Sequence, residues 1–143
     1  MNLRLARKED AEALAGLCVQ MGYPSSPEQV AVRLADLHAR PDNAVFVAEV
    51  EGSLAGWVSV VICPTLESDR CAEVSGLVVD EGTRGRGVGA ALMARAEAWA
   101  RERSLSEVRV RSNVVREETH RFYRNLGYAI VKSQFTFSKK LAD

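Results

Sequence analysis

The sequence has no excess of either charge. Its 143 residues contain 19 Lys and Arg and 19 Asp and Glu, which gives a formal net charge of zero. Proteins that bind nucleic acid through its phosphates usually present a basic surface, so nucleic acid is not an expected partner. The length fits one domain of ordinary size, and we expect a single domain over residues 1–143.

Cysteines and long apolar runs are also scarce. Cys18, Cys63 and Cys71 are widely spaced and form no CxxC pair, which indicates neither a zinc site nor a disulfide framework. No segment approaches the roughly 18 apolar residues of a membrane span, and "MNLRLARKED" is too charged for a signal peptide. We therefore expect a cytoplasmic protein that binds neither a membrane nor a metal.

The first half of the chain alternates between strand and helix patterns. "NLRLA" alternates like a short strand, and apolar residues at helical spacing follow it. Ser26, Pro27 and Gln29 have the order of an N-cap, a first-turn proline and a capping-box partner, so a second helix is expected to begin there. Two β-rich segments meet at Glu51 and Gly52, which predicts a hairpin, and "CAEVSGLVV" predicts a fourth strand.

The second half continues a mixed α/β pattern. A helical stripe from Val88 follows a glycine-rich loop, and "SEVRVRS" alternates like a strand. "REETHRFYRNLG" predicts another helix, with Gly127 as its C-cap. "YAIVK" and "QFTFSK" are predicted to form two final strands. The expected fold is one α/β domain with a mixed sheet, in the order β-α-α-β-β-β-α-β-α-β-β.

A basic, glycine-rich loop joins the fourth predicted strand to the following helix in "VVDEGTRGRGVGAALMARAEAWA", residues 78–100. The N-terminus of a helix presents unpaired backbone N–H groups and the positive end of the helix dipole, which favour an anion. Glycines let the backbone approach a ligand closely, and Arg84 and Arg86 add forked donors for phosphate oxygens. The loop therefore predicts a phosphate or pyrophosphate site. A solvated turn would not call for arginines between its glycines.

Two other phosphate-binding loops fit this segment less well. A nucleotide-hydrolase loop ends in Lys-Ser or Lys-Thr, whereas this loop continues as "VGA". "GRGVGA" satisfies the dinucleotide pattern, and Glu107 lies about twenty residues further on, where that fold places an acid. However, Glu107 begins its predicted strand instead of ending it, and too little chain follows for a doubly wound sheet. The dinucleotide interpretation is therefore disfavoured.

The loop "RGRGVG", from Arg84 to Gly89, resembles the Arg/Gln-x-x-Gly-x-Gly/Ala loop of the GNAT superfamily of N-acetyltransferases. "RFYRNLGY" resembles the Phe-Tyr-x-x-x-Gly-Phe/Tyr signature of the same family. The resemblance implies the GNAT fold and transfer of an acetyl group from acetyl-coenzyme A to a primary amine, by direct attack on the thioester. The loop would grip the pyrophosphate, and the pantetheine arm would pair with the fourth strand. The residues implied to bind the cofactor are Leu77, Val78, Val79, Arg84, Gly85, Arg86, Gly87, Val88 and Gly89.

The same resemblance implies two catalytic residues. Tyr123 matches the tyrosine that protonates the leaving thiolate in many relatives. Glu73 occupies the strand position where a group of GNAT enzymes carries a glutamate general base. A base is needed because an amine with a pKa of about 10.4 is almost entirely protonated at neutral pH. A water relay is the alternative to Glu73, and Glu107, Glu117 and Glu118 are weaker candidates.

One position departs from the family pattern. Where many relatives carry an asparagine that contacts the pantetheine arm, this chain has Arg116, and Asn113 lies three residues earlier. His120 shares a helix face with Tyr123, which makes it a candidate acid, base or substrate contact. The roles of all three residues stay open.

The acceptor and the assembly are not determined by these residues. A small metabolite, an amino acid, a polyamine, an aminoglycoside and a protein amino group are all candidate acceptors. A non-catalytic sensor or interaction module that binds acetyl-coenzyme A is the alternative function. Pairing of the final strands or helices between subunits would give a homodimer, as is common among relatives.

Overall fold

The computed structural model describes residues 1–112 and 117–142. Residues Met1–Arg111 form one compact unit, and the described residues from Ser112 onward form a second. The expectation of a single domain over the whole chain stays a prediction. The second unit contains α4 (Glu117–Asn125). The helices and strands of the first unit are, in order, β1 (Asn2–Leu5), α1 (Ala11–Met21), α2 (Pro27–His38), β2 (Asn43–Val50), β3 (Ser53–Cys63), β4 (Cys71–Val79), α3 (Val88–Glu102) and β5 (Val108–Val110).

Five strands form one mixed sheet in the order β1-β2-β3-β4-β5. Each pair of neighbours from β1 to β4 is antiparallel, whereas β5 runs parallel to β4. Val50 pairs with Ser53, and the two residues between them, Glu51 and Gly52, have φ angles of 53° and 80°. Two successive positive φ angles are typical of a tight type I′ hairpin turn, so the predicted hairpin is confirmed.

A β-bulge interrupts the pairing of β3 with β4. Ser59 pairs with Gly76 and Val60 pairs with Val74, which leaves Ser75 as the extra residue of β4. Bulges bend a strand and re-aim its side chains, and they are common beside functional sites. The bulge divides β4 into an N-terminal part that includes Glu73 and a C-terminal part that leads into the glycine-rich loop.

Helix α3 covers one face of the sheet. Val58 and Val60 of β3 are fully buried on this face, as is Leu92 of α3. A Cβ atom added at Gly56 would lie 3.1 Å from a methyl carbon of Leu92 and 2.5 Å from the carbonyl oxygen of Val78. A larger residue at this position would therefore clash with the backbone of β4 and crowd Leu92, so the glycine allows both the strand and the helix to pack closely.

Helices α1 and α2 cover the opposite face. Trp57 alternates with its neighbours in β3 and so points away from α3. It packs against a cluster that includes Leu14 of α1, Leu34 of α2 and Val47 of β2. The predicted capping box at the start of α2 is confirmed, because Ser26 and Gln29 exchange hydrogen bonds of 3.0 and 3.1 Å between side chain and backbone N–H.

The two strands predicted after α4 are wrong. Residues 128–142, which include "YAIVK" and "QFTFSK", have no regular secondary structure. A strand is stable only beside a hydrogen-bonded neighbour, and the described residues of the second unit supply none. β-branched and aromatic residues produced the strand pattern, but a pattern of residue types does not provide a partner. The exposed apolar residues of this segment are Ile130, Val131, Phe135, Phe137 and Leu141.

A buried ion pair fixes β1 to the turn before α1. Two nitrogens of the Arg4 guanidinium donate to the two carboxylate oxygens of Asp10, each at 2.8 Å, and the same group also contacts Glu49. The backbone N–H of Arg7 donates to Asp10 at 2.7 Å. Asp10 is only 7% exposed, and its hydrogen bonds with Arg4 lower its pKa. The carboxylate therefore contributes to stability in its charged form.

Asp10→Ala is expected to lower the free energy of unfolding by about 1.5–3 kcal/mol at pH 7, because Arg4 and the Arg7 N–H lose a buried charged partner. Since the folded-state pKa lies below the unfolded value of about 3.9, the contribution is present above that pH and is lost as the pH falls through the folded-state pKa. Urea unfolding of wild type and variant at pH 7 and at lower pH measures both effects.

Asp36→Ala is the matched control, because Asp36 forms an exposed pair with Arg40 on α2. Exposed pairs contribute about 0–1 kcal/mol, so this variant should unfold almost like wild type at every pH. Equal losses in the two variants would contradict the importance of the Asp10 pair.

Candidate active site

The glycine-rich loop connects β4 to α3 within the first unit. Asp80 accepts a hydrogen bond of 3.2 Å from the backbone N–H of Gly82 and so opens a one-turn 3-10 helix. Gly85 and Gly87 then have φ angles of 84° and 79°, in the left-handed region that favours glycine. The backbone path of the loop therefore requires glycine at both positions.

The N-terminus of α3 is not capped by a side chain. Gly87 is its N-cap residue and has no side chain to bond the first N–H groups of the helix. Arg84 and Arg86 are exposed, and neither forms a hydrogen bond or ion pair within the described part of the chain. Free N–H groups, the positive end of a 15-residue helix and two unpaired guanidinium groups can together hold an anion.

Helix α1 supports the start of this loop. The side chain of Gln20 donates to a carboxylate oxygen of Asp80 at 2.8 Å and accepts from the backbone N–H of Glu81 at 3.0 Å. Sequence reasoning missed Gln20, because its partners lie about sixty residues away in the chain. The two hydrogen bonds fix the loop relative to α1, which also lies beside β4.

The end of β4 has a free backbone edge. β5 pairs only with the segment 72–74, so residues 77–79 have no strand partner on that side in the part of the chain that is described. Their other edge is paired with β3. The free edge has the length to hydrogen-bond one short extended group, and it leads directly into the glycine-rich loop. Leu77, Val78 and Val79 lie on this edge, and the contact with the pantetheine arm that the resemblance implies for them stays a prediction.

Glu73 lies on the N-terminal part of β4, beside the bulge. Its carboxylate forms an ion pair of 2.9 Å with Arg111 and accepts a weak hydrogen bond from the thiol of Cys63 at 3.6 Å. Burial, and then the carboxylate of Glu73, raise the pKa of the Cys63 thiol. Neither partner of Glu73 was expected from the sequence. Glu107, the weaker candidate, forms an exposed pair with Arg109 at 2.9 Å.

Tyr123 belongs to the second unit, where it is buried in α4. Its ring makes edge-to-face contacts with Phe122 and Tyr128, at centroid distances of 5.1 and 6.0 Å. After α4, Gly127 has a φ angle of 94°, and the N–H of Tyr128 donates to the carbonyl of Tyr123 at 3.0 Å. The glycine of "RFYRNLGY" therefore ends α4, and the aromatic residues of the same motif pack together at that end. The prediction of Gly127 as a C-cap is confirmed.

The other candidates in the second unit are more exposed than Tyr123 or fall outside the described residues. Glu117 and Glu118 are exposed in the first turn of α4, and His120 is half-buried one turn before the tyrosine. Asn113 and Arg116 lie outside the described residues.

Within residues 1–112 and 117–142, no group of three or more His, Cys, Asp or Glu side chains could hold a metal ion. No helix of this part is long and apolar enough to cross a membrane.

The sequence model of the Acetyltransferase (GNAT) family matches residues 8–128. The chain belongs to the GNAT family of acetyltransferases. The match covers the glycine-rich loop and α4, the two segments on which the sequence resemblance depended, and it includes every candidate site residue named above.

Three curated relatives carry N-acetyltransferase names. An uncharacterized N-acetyltransferase of Methanocaldococcus jannaschii is 30% identical over 110 residues, which are 73% of this chain and 49% of the relative, so the match spans about half of that protein. An aminoalkylphosphonate N-acetyltransferase of Salmonella typhimurium is 29% identical over 97% of this chain and 90% of its own length. An aminoglycoside N(6')-acetyltransferase type 1 of Serratia marcescens is 25% identical over 83% of this chain and 86% of its own length.

Solved structures show the same fold. A transcriptional regulator from Bacillus halodurans C-125 has a TM-score of 0.87 at 20% identity, covering 96% of this chain and 99% of its own. AAC(6')-Iy in complex with the bisubstrate analog CoA-S-monomethyl-acetylneamine has a TM-score of 0.85 at 18% identity, covering 98% of both chains. At these identities the similarity establishes the GNAT fold and carries no argument about activity.

Gly87→Ala is expected to lower the free energy of unfolding by about 1–2 kcal/mol, because a side chain is strained at a φ of 79°. No atom lies within 4 Å of the added Cβ, so strain rather than a clash is the cause. Gly16→Ala is the matched control: it lies in the middle of α1, is exposed, and should raise the same free energy by about 0.5–1 kcal/mol. Urea unfolding compares the two, and stabilisation by Gly87→Ala would contradict the observed backbone.

Proposed function

We propose that this protein is an acetyl-coenzyme A-dependent N-acetyltransferase that acetylates a primary amine of a small-molecule acceptor. The observation that carries the proposal is the free edge of β4 at residues 77–79, which leads directly into an uncapped, basic helix N-terminus. Membership of the GNAT family supports the same conclusion. The proposal assigns two parts of one cofactor to these two neighbouring features.

The pyrophosphate of acetyl-coenzyme A is assigned to the loop and the start of α3. Its negative charge suits the backbone N–H groups of Val88 and Gly89, the helix dipole, and the side chains of Arg84 and Arg86. The pantetheine arm carries amide groups, which suit the free backbone edge of Leu77–Val79. Both assignments involve only residues of the first unit.

The reaction forms a C–N bond and breaks a C–S bond. The amine nitrogen attacks the thioester carbonyl, and the backbone N–H of Val79 is proposed to donate to the developing oxyanion. Before the attack, Glu73 accepts one proton of the ammonium group, directly or through water, while Arg111 orients its carboxylate. The nitrogen loses its second proton to water after the C–N bond has formed. Tyr123 donates a proton to the leaving thiolate. A thiol with a reference pKa of about 8.5 is more acidic than a tyrosine phenol at about 10, so this proton transfer is uphill, but only by about 2 kcal/mol.

A small amine is the acceptor class that the relatives favour. One curated relative is named for aminoalkylphosphonates and another for aminoglycosides, and both of these substrate classes are small molecules that carry amino groups. An aminoalkylphosphonate also carries an anionic phosphonate group, whereas an aminoglycoside carries several ammonium groups, so the two classes do not indicate the net charge of the acceptor. The proposal is therefore limited to a small primary amine.

Release of coenzyme A thiol from acetyl-coenzyme A, with and without a panel of amines, tests the function. The panel contains aminoalkylphosphonates, aminoglycosides, polyamines, amino acids and a lysine-bearing peptide. Acceptor-dependent release is expected with at least one small amine. Release with the peptide alone would overturn the small-molecule assignment. Calorimetric binding of acetyl-coenzyme A without release would favour a non-catalytic sensor, and no binding would overturn both.

Arg86→Ala is expected to weaken acetyl-coenzyme A binding about tenfold, equivalent to about 1.4 kcal/mol, because a phosphate loses a forked donor. Calorimetry measures the dissociation constant. Arg101→Ala is the matched control, since Arg101 is an exposed arginine in the last turn of the same helix. Equal weakening by the two variants would show that the loop does not bind the pyrophosphate.

Tyr123→Phe is expected to lower kcat about 10- to 100-fold with little change in acetyl-coenzyme A affinity, because the leaving thiolate loses its proton donor. Tyr128→Phe removes a hydroxyl from the same aromatic cluster and should leave kcat near the wild-type value. Steady-state kinetics with the acceptor found above measures both variants. A wild-type kcat for Tyr123→Phe would exclude its role as the acid.

A further inference from the structure

Cys63 and Cys71 face each other across the hairpin of β3 and β4. Cys63 is the last residue of β3, Cys71 is the first residue of β4, and the two are direct partners in the antiparallel register. Direct partners project their side chains from the same face of a sheet, with Cα atoms about 4.5–5.5 Å apart. Disulfides join Cα atoms about 4.4–6.8 Å apart. The backbone therefore already has the separation that a disulfide requires.

We propose that Cys63 and Cys71 form a cross-strand disulfide by exchange with a low-molecular-weight disulfide such as oxidised glutathione. The thiolate of one cysteine attacks the reagent, forms a mixed disulfide and releases one reagent thiol. The second cysteine then displaces the other reagent thiol. One S–S bond forms in the protein, one S–S bond of the reagent breaks, and the reagent is reduced to two thiols, so that atoms and electrons balance.

The end of the hairpin can adapt to the bond. Opposed Cβ atoms lie about 4.5–5.5 Å apart in a sheet, whereas a disulfide brings them to about 3.5–4.5 Å. The pair must therefore close by about 1 Å on average and by at most about 2 Å. Residues 64–70, which connect the two strands, are all exposed, so the connection itself is not held by packing and can follow the strand ends. Cys18 lies in α1 and has no opposed cysteine.

The charged groups around the pair affect the rate of exchange. Burial and the carboxylate of Glu73 raise the pKa of the Cys63 thiol, Cys71 adds to this effect, and Arg111 opposes it. Arg109 of β5 also lies near Cys71. Since the thiolate is the attacking species, exchange should be slow at neutral pH and should accelerate as the pH rises.

Oxidation would also change the surroundings of Glu73. The Cys63 thiol donates to the Glu73 carboxylate, and disulfide formation consumes that S–H group. The carboxylate would keep its ion pair with Arg111. An effect on acetyl transfer rests on the proposed role of Glu73, whereas formation of the disulfide does not, so a mass-spectrometric test separates the two proposals.

The test equilibrates wild-type protein in glutathione buffers of graded redox ratio, followed by acid quenching, alkylation and trypsin digestion. Trypsin cleaves after Arg70, between the two cysteines, so their peptides stay together only through a disulfide. The folded protein is expected to give the linked Cys63–Cys71 peptide. Its equilibrium constant should be at least about tenfold larger than that of the same chain in concentrated urea, because the fold holds the thiols together.

Three variants serve as controls. Cys18→Ser should form the linked peptide as wild type does, whereas Cys63→Ala and Cys71→Ser should not. Cys71 is buried, so Cys71→Ser could impair folding. Cys63 is only half-buried, so Cys63→Ala removes the same disulfide with less effect on packing. Equal equilibrium constants in the folded and unfolded chain would overturn the proposal. So would links through Cys18, or an oxidation rate in wild type that does not increase with pH.

Discussion

The partial pairing of β4 is the constraint on which the candidate site depends. β4 is hydrogen-bonded to β3 along its length, but β5 reaches only the segment 72–74. Ser75, the bulged residue, follows directly after this segment. The N-terminal part of β4 is therefore an interior strand that holds Glu73 in place, whereas the C-terminal part has one free edge among the residues that the structure describes. Within seven residues, Glu73–Val79, a single strand thus provides a fixed carboxylate and a backbone edge that β5 does not reach.

Close packing of α3 positions the second feature of the site. Gly56 lets Leu92 approach the sheet, and the buried apolar face of α3 fixes the direction of the helix. The short loop of residues 80–87 joins the end of β4 to the N-terminus of α3. Gln20 fixes the start of this loop through Asp80 and Glu81. Apolar packing and a few hydrogen bonds thus place an anion-binding helix end beside a free strand edge.

Local features of the fold were predictable because they depend on neighbouring residues. The capping box of Ser26 and Gln29, the hairpin turn at Glu51 and Gly52, and the start of α3 at Val88 all follow from contacts within a few residues. The surroundings of Glu73 were not, since Arg111 and Cys63 reach it through the sheet register from distant parts of the chain. Pairing between strands that no tight turn connects leaves no signal in residue spacing.

By itself, the sequence determined the kinds of elements, their order through α4, and the loop and helix motifs that indicate the GNAT family. Residue type and short-range periodicity control these properties, because backbone propensity, capping and left-handed turns are local. Apart from the β2–β3 hairpin, only the tertiary structure decided which strands pair, where β5 stops, and which side chains meet. It also left 128–142 without the strands that its residue types favour. A strand, an ion pair and a pair of opposed thiols each need a partner from elsewhere in the chain, and only folding brings that partner into place.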